Sequence, residues 1–423
     1  MRCVSKIILC STLLTVGMSS GAFADDSSLG VTVESLVEFA KTRNPDYDAM
    51  QADADAYEAR IAPSGSLPDP KFRTEFRDIT RGGEQRPSLV PNQTGSTRYL
   101  LMQDIPWAGK RDLKQTIASH EAESARDRAQ QTWNEVVAKI KVAYAQLYYV
   151  HHTEKLSREV LDLMSRLEKV TQARYTSGLA AQQDVIKAQL EQTSMQNELI
   201  ALGTEKHHLH ARINSLLSRP VKSPLAEPQK LRLLPSQGKL DQETLENLTK
   251  SNNPAISSEK AKAKAAEKAV ELALRNRYPD VTLGLSPIQY ENSIKEWEFM
   301  IEMNIPLQQS SRRSQEREAE SLLKVARSRQ EAVTNQILSE LSENLSEIDA
   351  IRKVESLITE RLLPQSELAF QSALVGYETG RVDFATLLDA QRQIRMAKQN
   401  LLKTKTEGQA RLAEIERILG EDL

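Results

Sequence analysis

The stretch ARYTSGLAAQQDVIKAQ, Ala173 to Gln189, returns imperfectly as VGYETGRVDFATLLDAQ, Val375 to Gln391. Tyr175 and Tyr377, Gly178 and Gly380, and the pairs Ala188-Gln189 and Ala390-Gln391 all keep one offset. A glycine that ends one long apolar-periodic segment and is followed at once by another marks a helix that stops and restarts. Each copy therefore reads as the tip of a helical hairpin.

The first hairpin spans 109–218. From Gly109 to Arg174 there is no proline, and apolar residues fall three and four apart: Trp133, Val137, Ile140, Tyr144 and Leu147, then Leu156, Val160, Leu163, Leu167 and Val170. A helix of that length is on the order of 100 Å long, more than one globular core can cover. The return helix runs from Gln182 to Ser218 through Leu190, Leu199, Leu202, Leu209, Ile213 and Leu216, and stops at Arg219-Pro220.

The rest of the chain repeats the plan. AKTRNP at Ala40–Pro45 returns as TKSNNP at Thr249–Pro254, LPD at Leu67–Asp69 as YPD at Tyr278–Asp280, and QDIPWAGKR at Gln103–Arg111 as MNIPLQQSSRR at Met303–Arg313. Offsets that drift only with loop length indicate one duplicated unit. The first repeat covers 25–220, a proline-rich linker 221–248, and the second repeat 249–423. The second contains a helix over 254–276 and a hairpin over 311–419, built from helices Ser311–Gly376, with Leu338, Leu341, Leu345 and Ile348 in its seam, and Phe384–Leu419.

Between each PD and IP the period changes to two. Phe72, Thr74 and Phe76 alternate with Arg73, Glu75 and Arg77; Val281, Leu283 and Leu285 alternate with Thr282, Gly284 and Ser286; Phe299, Ile301 and Met303 alternate with Met300, Glu302 and Asn304. Strands are expected near 70–79, 97–105, 280–287 and 296–305, each with one apolar and one polar face. Such hairpins could sit half-buried on a soluble domain. Here, however, nothing else in the chain offers a sheet, and four strands cannot close a barrel, so their edges need other copies. Three copies would supply twelve strands, enough for a wide water-filled barrel. The loop from Gly82 to Gly95 is expected to face the outside.

Residues 1–24 read as a bacterial signal peptide, with Arg2 and Lys6, the apolar Ile7–Val16, then Ala22-Phe23-Ala24 before Asp25-Asp26. Both cysteines, Cys3 and Cys10, lie inside it, and Ile7-Ile8-Leu9 lacks the small residue expected before a lipidated cysteine. Disulfide, thiolate-metal and cysteine chemistry are thereby excluded from the exported part. With 39% hydrophobic, 5% aromatic and 27% charged residues, the composition suits long helices, and a net charge of −2 favours no nucleic acid. No later apolar run reaches the ~20 residues of a membrane-spanning helix, so any crossing must use strands.

A leader followed by two copies of helix, strand pair, long helix, short turn and long helix resembles the TolC-type outer-membrane efflux channels over essentially the whole exported chain. IPWAGKR after the second strand and the two tips carry the resemblance most specifically. It implies a mainly α protein with a small β part: a homotrimer, with a twelve-stranded β-barrel in the outer membrane of a Gram-negative cell and an α-barrel of coiled-coil helices across the periplasm. Six hairpin tips would then ring the periplasmic mouth. By the same resemblance Gly178, Leu179 and Gly380 look like the contact for a periplasmic adaptor. Asp184, Tyr377, Arg381 and Asp389 look like the gate, with Asp184 bonded across to Tyr377. The match departs at Val382, where the family can place an arginine that Arg381 would have to replace, and at Thr386, which stands for an outer entrance carboxylate.

No catalytic constellation and no cofactor motif occurs, and an enzyme is not expected. The six histidines are His120, His151, His152, His207, His208 and His210, and His207 and His210 sit one helical turn apart, a weak candidate metal pair. MQDIPWAGKR and the short linker are similar to family members serving heavy-metal pumps of the resistance-nodulation-division class. Drug efflux and type I protein secretion remain open for the same fold, as does a periplasmic coiled-coil scaffold.

Overall fold

The computed structural model describes residues 29–423; the expected signal peptide lies outside them. In chain order the elements are α1 (Val33–Lys41), α2 (Pro45–Gly65), β1 (Lys71–Arg77), β2 (Ser96–Ile105), α3 (Lys110–Thr176), α4 (Gln182–Leu216), α5 (Gln242–Asn252), α6 (Pro254–Arg275), β3 (Val281–Tyr290), β4 (Ser293–Met303), α7 (Gln309–Leu357), α8 (Leu363–Glu378) and α9 (Phe384–Leu419). Among the described residues no helix is long and apolar enough to cross a membrane.

The repeated Asn-Pro explains how each half begins. Proline at the first helical position has no N–H to waste, and asparagine before it caps the free amides. Asn44 Oδ1 accepts from the Tyr47 N–H at 3.0 Å, while its Nδ2 donates to the Leu216 carbonyl at 2.9 Å. Asn253 repeats the arrangement: Oδ1 accepts from Ala255 and Ile256 N–H, and Nδ2 donates to the Ile418 carbonyl at 2.7 Å. Each asparagine thus starts one helix and ties down the end of the helix that returns from its own tip.

Helix α3 is the spine. It packs against α4 and α2 of its own repeat and against α6 and α9 of the other. Apolar clusters surround it at two levels, one with Leu36, Ile140, Tyr144, Leu147 and Ile213, the other towards the tips with Met164, Met195, Tyr377, Phe384 and Leu387. A third, with Leu245, Leu341, Ile348, Leu412 and Ile415, fills the second repeat. The expected seams hold at Ile140, Leu167 and Ile213, but Leu190 is 65% exposed and Val170 45%.

Two expectations are corrected. The second long helix is not continuous over Ser311–Gly376: residues Ile358–Leu362 form a π turn between α7 and α8. Pro364 lacks an N–H, and its ring would collide with the carbonyl one turn back, so the wider turn opens the ladder there. The linker over 221–248 also contains helix: α5 starts at Asp241, whose carboxylate accepts from the Thr244 N–H at 2.9 Å. The extended part is strapped across the helices. Gln409 Nε2 donates to the Arg232 carbonyl at 2.6 Å, Arg352 donates to the Pro235 carbonyl, and the Tyr144 hydroxyl is shared between the carbonyls of Val31 and Lys230. Burial pushes that hydroxyl up to about 12.

Replacing Asn44 or Asn253 by Ala is expected to cost about 1–2 kcal/mol each. Glycine retains most of the capping value but not the carbonyl tie, so thermal unfolding of the Gly variants isolates the tie. A Gly variant as stable as the parent would show that the tie contributes nothing.

Candidate functional site

At the helical end, α3 and α8 both stop at a left-handed glycine, Gly178 with φ 70° and Gly380 with φ 73°. Any side chain there is strained, which accounts for glycine in both copies. Leu179 beside Gly178 is 68% exposed. Phe384 begins α9 under the cap of Asp383, whose carboxylate accepts from the Thr386 hydroxyl at 2.5 Å and its N–H at 3.0 Å. Those two bonds hold the Asp383 carboxyl below the usual range. Helix α4 has no such side-chain cap.

The two tips are fastened by α3. Arg174 Nη1 donates to the carbonyls of Tyr377 and Glu378, both at 3.1 Å, placing a cation on the free C-terminal end of α8. Its guanidinium lies 5.0 Å from the Tyr377 ring centroid. The Tyr377 hydroxyl is 3.1 Å from that of Thr171, and its ring packs on Phe384. Deeper in, Glu191 pairs with Arg392 at 2.7 Å and Glu198 with Arg395 at 2.7 Å.

The expected bond from Asp184 to Tyr377 is not among these: the tyrosine hydroxyl faces α3 and is taken by Thr171. Asp184 sits half-buried in the first turn of α4, Arg381 is exposed, and exposed Asp389 accepts from Gln393 at 3.2 Å. Among the described residues no hydrogen bond or ion pair joins Asp184 or Arg381 to Tyr377. Sequence reasoning missed Arg174 and Thr171, although a signal was present where the two copies differ. The counterpart of Arg174 is Gly376, where an added Cβ would come within 2.6 Å of Val382. Only the first copy can carry an arginine.

At the other end four strands form one antiparallel sheet in the order β1-β2-β3-β4. Phe72, Leu101, Leu285 and Phe299 are paired in register across it and all are exposed, giving one apolar face. The opposite face is charged. Arg98 Nε donates to Ser286 Oγ at 2.8 Å, and its guanidinium meets Glu298 at 2.8 Å and Glu75 at 3.7 Å. Arg81 in the loop after β1 pairs with Glu291 in the turn between β3 and β4. Below the sheet the two copied motifs meet: Asp280 accepts from the Trp107 N–H at 2.7 Å and from Lys110 Nζ at 2.8 Å, and Trp107 stacks on Tyr278 at 5.2 Å.

The sequence profile of the outer membrane efflux proteins matches residues 36–218 and 245–421. The chain belongs to the outer membrane efflux protein family. Among curated relatives it is 24% identical to the cobalt-zinc-cadmium resistance protein CzcC of Cupriavidus metallidurans, over 94% of this chain and 92% of that one. Among solved structures the fold is similar to the outer-membrane channel OprN, with TM-score 0.77 and 20% identity over 92% of this chain and 89% of that one. It is likewise similar to CusC, with TM-score 0.77 and 16% identity over 92% of each chain, and to VceC of Vibrio cholerae, with TM-score 0.77 and 16% identity over 92% and 96%. The TolC-like architecture, mainly helical and internally duplicated with a small sheet, is thus that of the family.

The histidine pair gathers no third ligand among the described residues. His207 is exposed, His210 is half-buried, and among the described residues no group of three or more His, Cys, Asp or Glu could hold an ion. Nearby, His152 Nε2 is buried with no hydrogen-bond partner among the described residues, and its ring packs 4.1 Å from that of Tyr148. Burial, then His151 and Lys155, lower its pKa. The unfolded chain therefore takes up this proton more readily, and stability rises with pH across the interval between the lowered value and the ordinary ~6.5. Thermal stability should fall as pH drops from about 7.5 through that window, and His152→Gln should flatten the fall. An unchanged slope would reject this role.

Proposed function

We propose that the chain is the exit duct of a tripartite efflux system: a homotrimeric outer-membrane channel that extends into the periplasm and receives its cargo from a resistance-nodulation-division pump through a periplasmic adaptor. The observation that carries this reading is the sheet. It has an apolar face, a charged face and two unpaired edges, and continues directly into helices about 100 Å long. A lipid-facing wall, a wet lumen and a periplasmic tunnel follow from one continuous tube. Heavy-metal cations are the proposed cargo, supported by the likeness to a cobalt-zinc-cadmium resistance protein. Bound ligands on the wall are not required for that role, because a conduit only has to let ions diffuse.

The tips serve as gate and docking ring in this reading. Gly178, Leu179 and Gly380 present the adaptor contact. Tyr377, held by Arg174 and Thr171, keeps the two hairpins of one chain together, and Asp184, Arg381 and Asp389 line the mouth beyond it. Opening would require α8 to leave the Arg174 guanidinium.

Deleting the gene should raise intracellular cobalt, zinc or cadmium and reduce growth on those metals, with rescue by the intact gene. Accumulation of drugs alone, with metals unchanged, would keep the duct and discard the cargo. In planar bilayers Arg174→Ala should raise closed-state conductance more than Asp184→Ala; equal low leak in both would reject the latch.

A further inference from the structure

The duplication does more than repeat a hairpin, because it also repeats a strand register. Asp69 and Asp280 set the offset of β1 to β3 at 211 residues, and Ile105 and Ile305 set that of β2 to β4 at 200. Carried through these offsets, the pairing of Lys71 with Met102 becomes that of Thr282 with Glu302, which is the register found between β3 and β4. The two repeats therefore build their hairpins in the same way.

The junction between repeats is the pairing of β2 with β3, where Ile105 lies opposite Val281 and Leu101 opposite Leu285. Applying the same junction once more takes β2 to β4 and β3 to β1 of another copy. We propose that a second copy of this chain docks its β1 on β4 in that transferred register, with Glu302 opposite Arg73 and Glu298 opposite Arg77 of the next copy. The inference rests on the assembly proposed above and specifies the residues that register it.

Three observations support it. First, the paired positions carry opposite charge on the same polar face, and Met303 opposite Phe72 and Phe299 opposite Phe76 fall together on the apolar face. A shift of two residues in one direction would instead set Glu302 against Glu75, and in the other Glu298 against Glu75, like charges in contact. Second, two carboxylates at the open seam are left without partners: among the described residues Glu302 and Asp69 make no hydrogen bond or ion pair, whereas Asp280, the counterpart of Asp69, is bonded by Trp107 and Lys110 across the internal junction. Glu298 is already shared with Arg98, and Arg73 and Arg77 meet Glu75 only at 3.6 and 3.9 Å. Third, the geometry closes. Arg73, Leu100, Ser286 and Glu298 form one row across the sheet, and Glu298 then meets Arg77, four residues further along β1. Three copies accumulate a stagger of about twelve residues over twelve strands, a tilt of roughly 35°, as closed barrels require. Head-to-tail contacts of this kind form a ring.

No cysteine follows Cys10, so introduced pairs report cleanly. Glu302→Cys combined with Arg73→Cys should give covalent trimers on oxidation in outer-membrane fractions. Yields should be on the order of tenfold above Glu302→Cys combined with Lys71→Cys or Glu75→Cys, because a disulfide tolerates only close Cα pairs. Glu302→Arg, at a carboxylate with no partner inside the chain among the described residues, should lower the temperature at which the trimer dissociates in detergent, and adding Arg73→Glu should recover part of the loss. Trimers that cross-link best in a shifted pair would overturn the register while leaving the assembly intact. Monomers with no cross-link at any pair would overturn the assembly itself.

Discussion

Every backbone amide and carbonyl on the outer edges of β1 and β4 needs a partner, and the rest of the structure depends on that requirement. In hydrocarbon an unsatisfied peptide group costs several kcal/mol, so a handful of them exceeds the whole ~5–15 kcal/mol stability of a domain. A four-stranded sheet with an apolar outer face can enter a bilayer only as a sector of something closed. The same sector geometry runs through the helices. Helix α3 is covered by α2 and α4 of its own repeat and by α6 and α9 of the second.

Duplication lets one local solution serve twice, and the copies diverge in how their tips are held. Asn44 and Asn253 are interchangeable in what they do: each caps a helix start and holds a returning helix end. Arg174 and Gly376 are not. The arginine crosses from the first tip to the carbonyl end of α8, and the glycine makes room for Val382. Helix α3 is unbroken, whereas its counterpart is relaxed by a π turn ahead of Pro364. The two tips of the chain are therefore two kinds of hairpin.

Charge is deployed according to burial. Arg98 lies inside the sheet face with three partners around it, and Glu191, with 4% of its side chain exposed, is neutralised by Arg392. Lys141 and Glu416 tie α3 to α9 at 2.7 Å in a buried site that Arg232 of the strap also enters. Removing one partner of such a set leaves an uncompensated buried charge, so these groups specify how the repeats meet more than they add to stability.

Much of this was legible in one dimension. Periodicity of three and four over 110–176, period two between PD and IP, glycines at the tips and the Asn-Pro starts are local signals, because backbone geometry and capping act over a few residues. The break at Pro364 is equally local, but the apolar seam around it points to a continuous helix and masks the signal. What the sequence could not reveal was who faces whom across the tips. Asp184 and Tyr377 stand at suggestive positions in matching motifs, yet the hydroxyl goes to Thr171, because side-chain reach depends on how α3 and α8 rotate against each other. The sequence by itself determined the elements, their duplication and the polarity of each face. Only the tertiary structure decided the latch, the strapped linker and the meeting of Asp280 with Lys110, since each joins residues far apart in the chain through packing that no local period encodes.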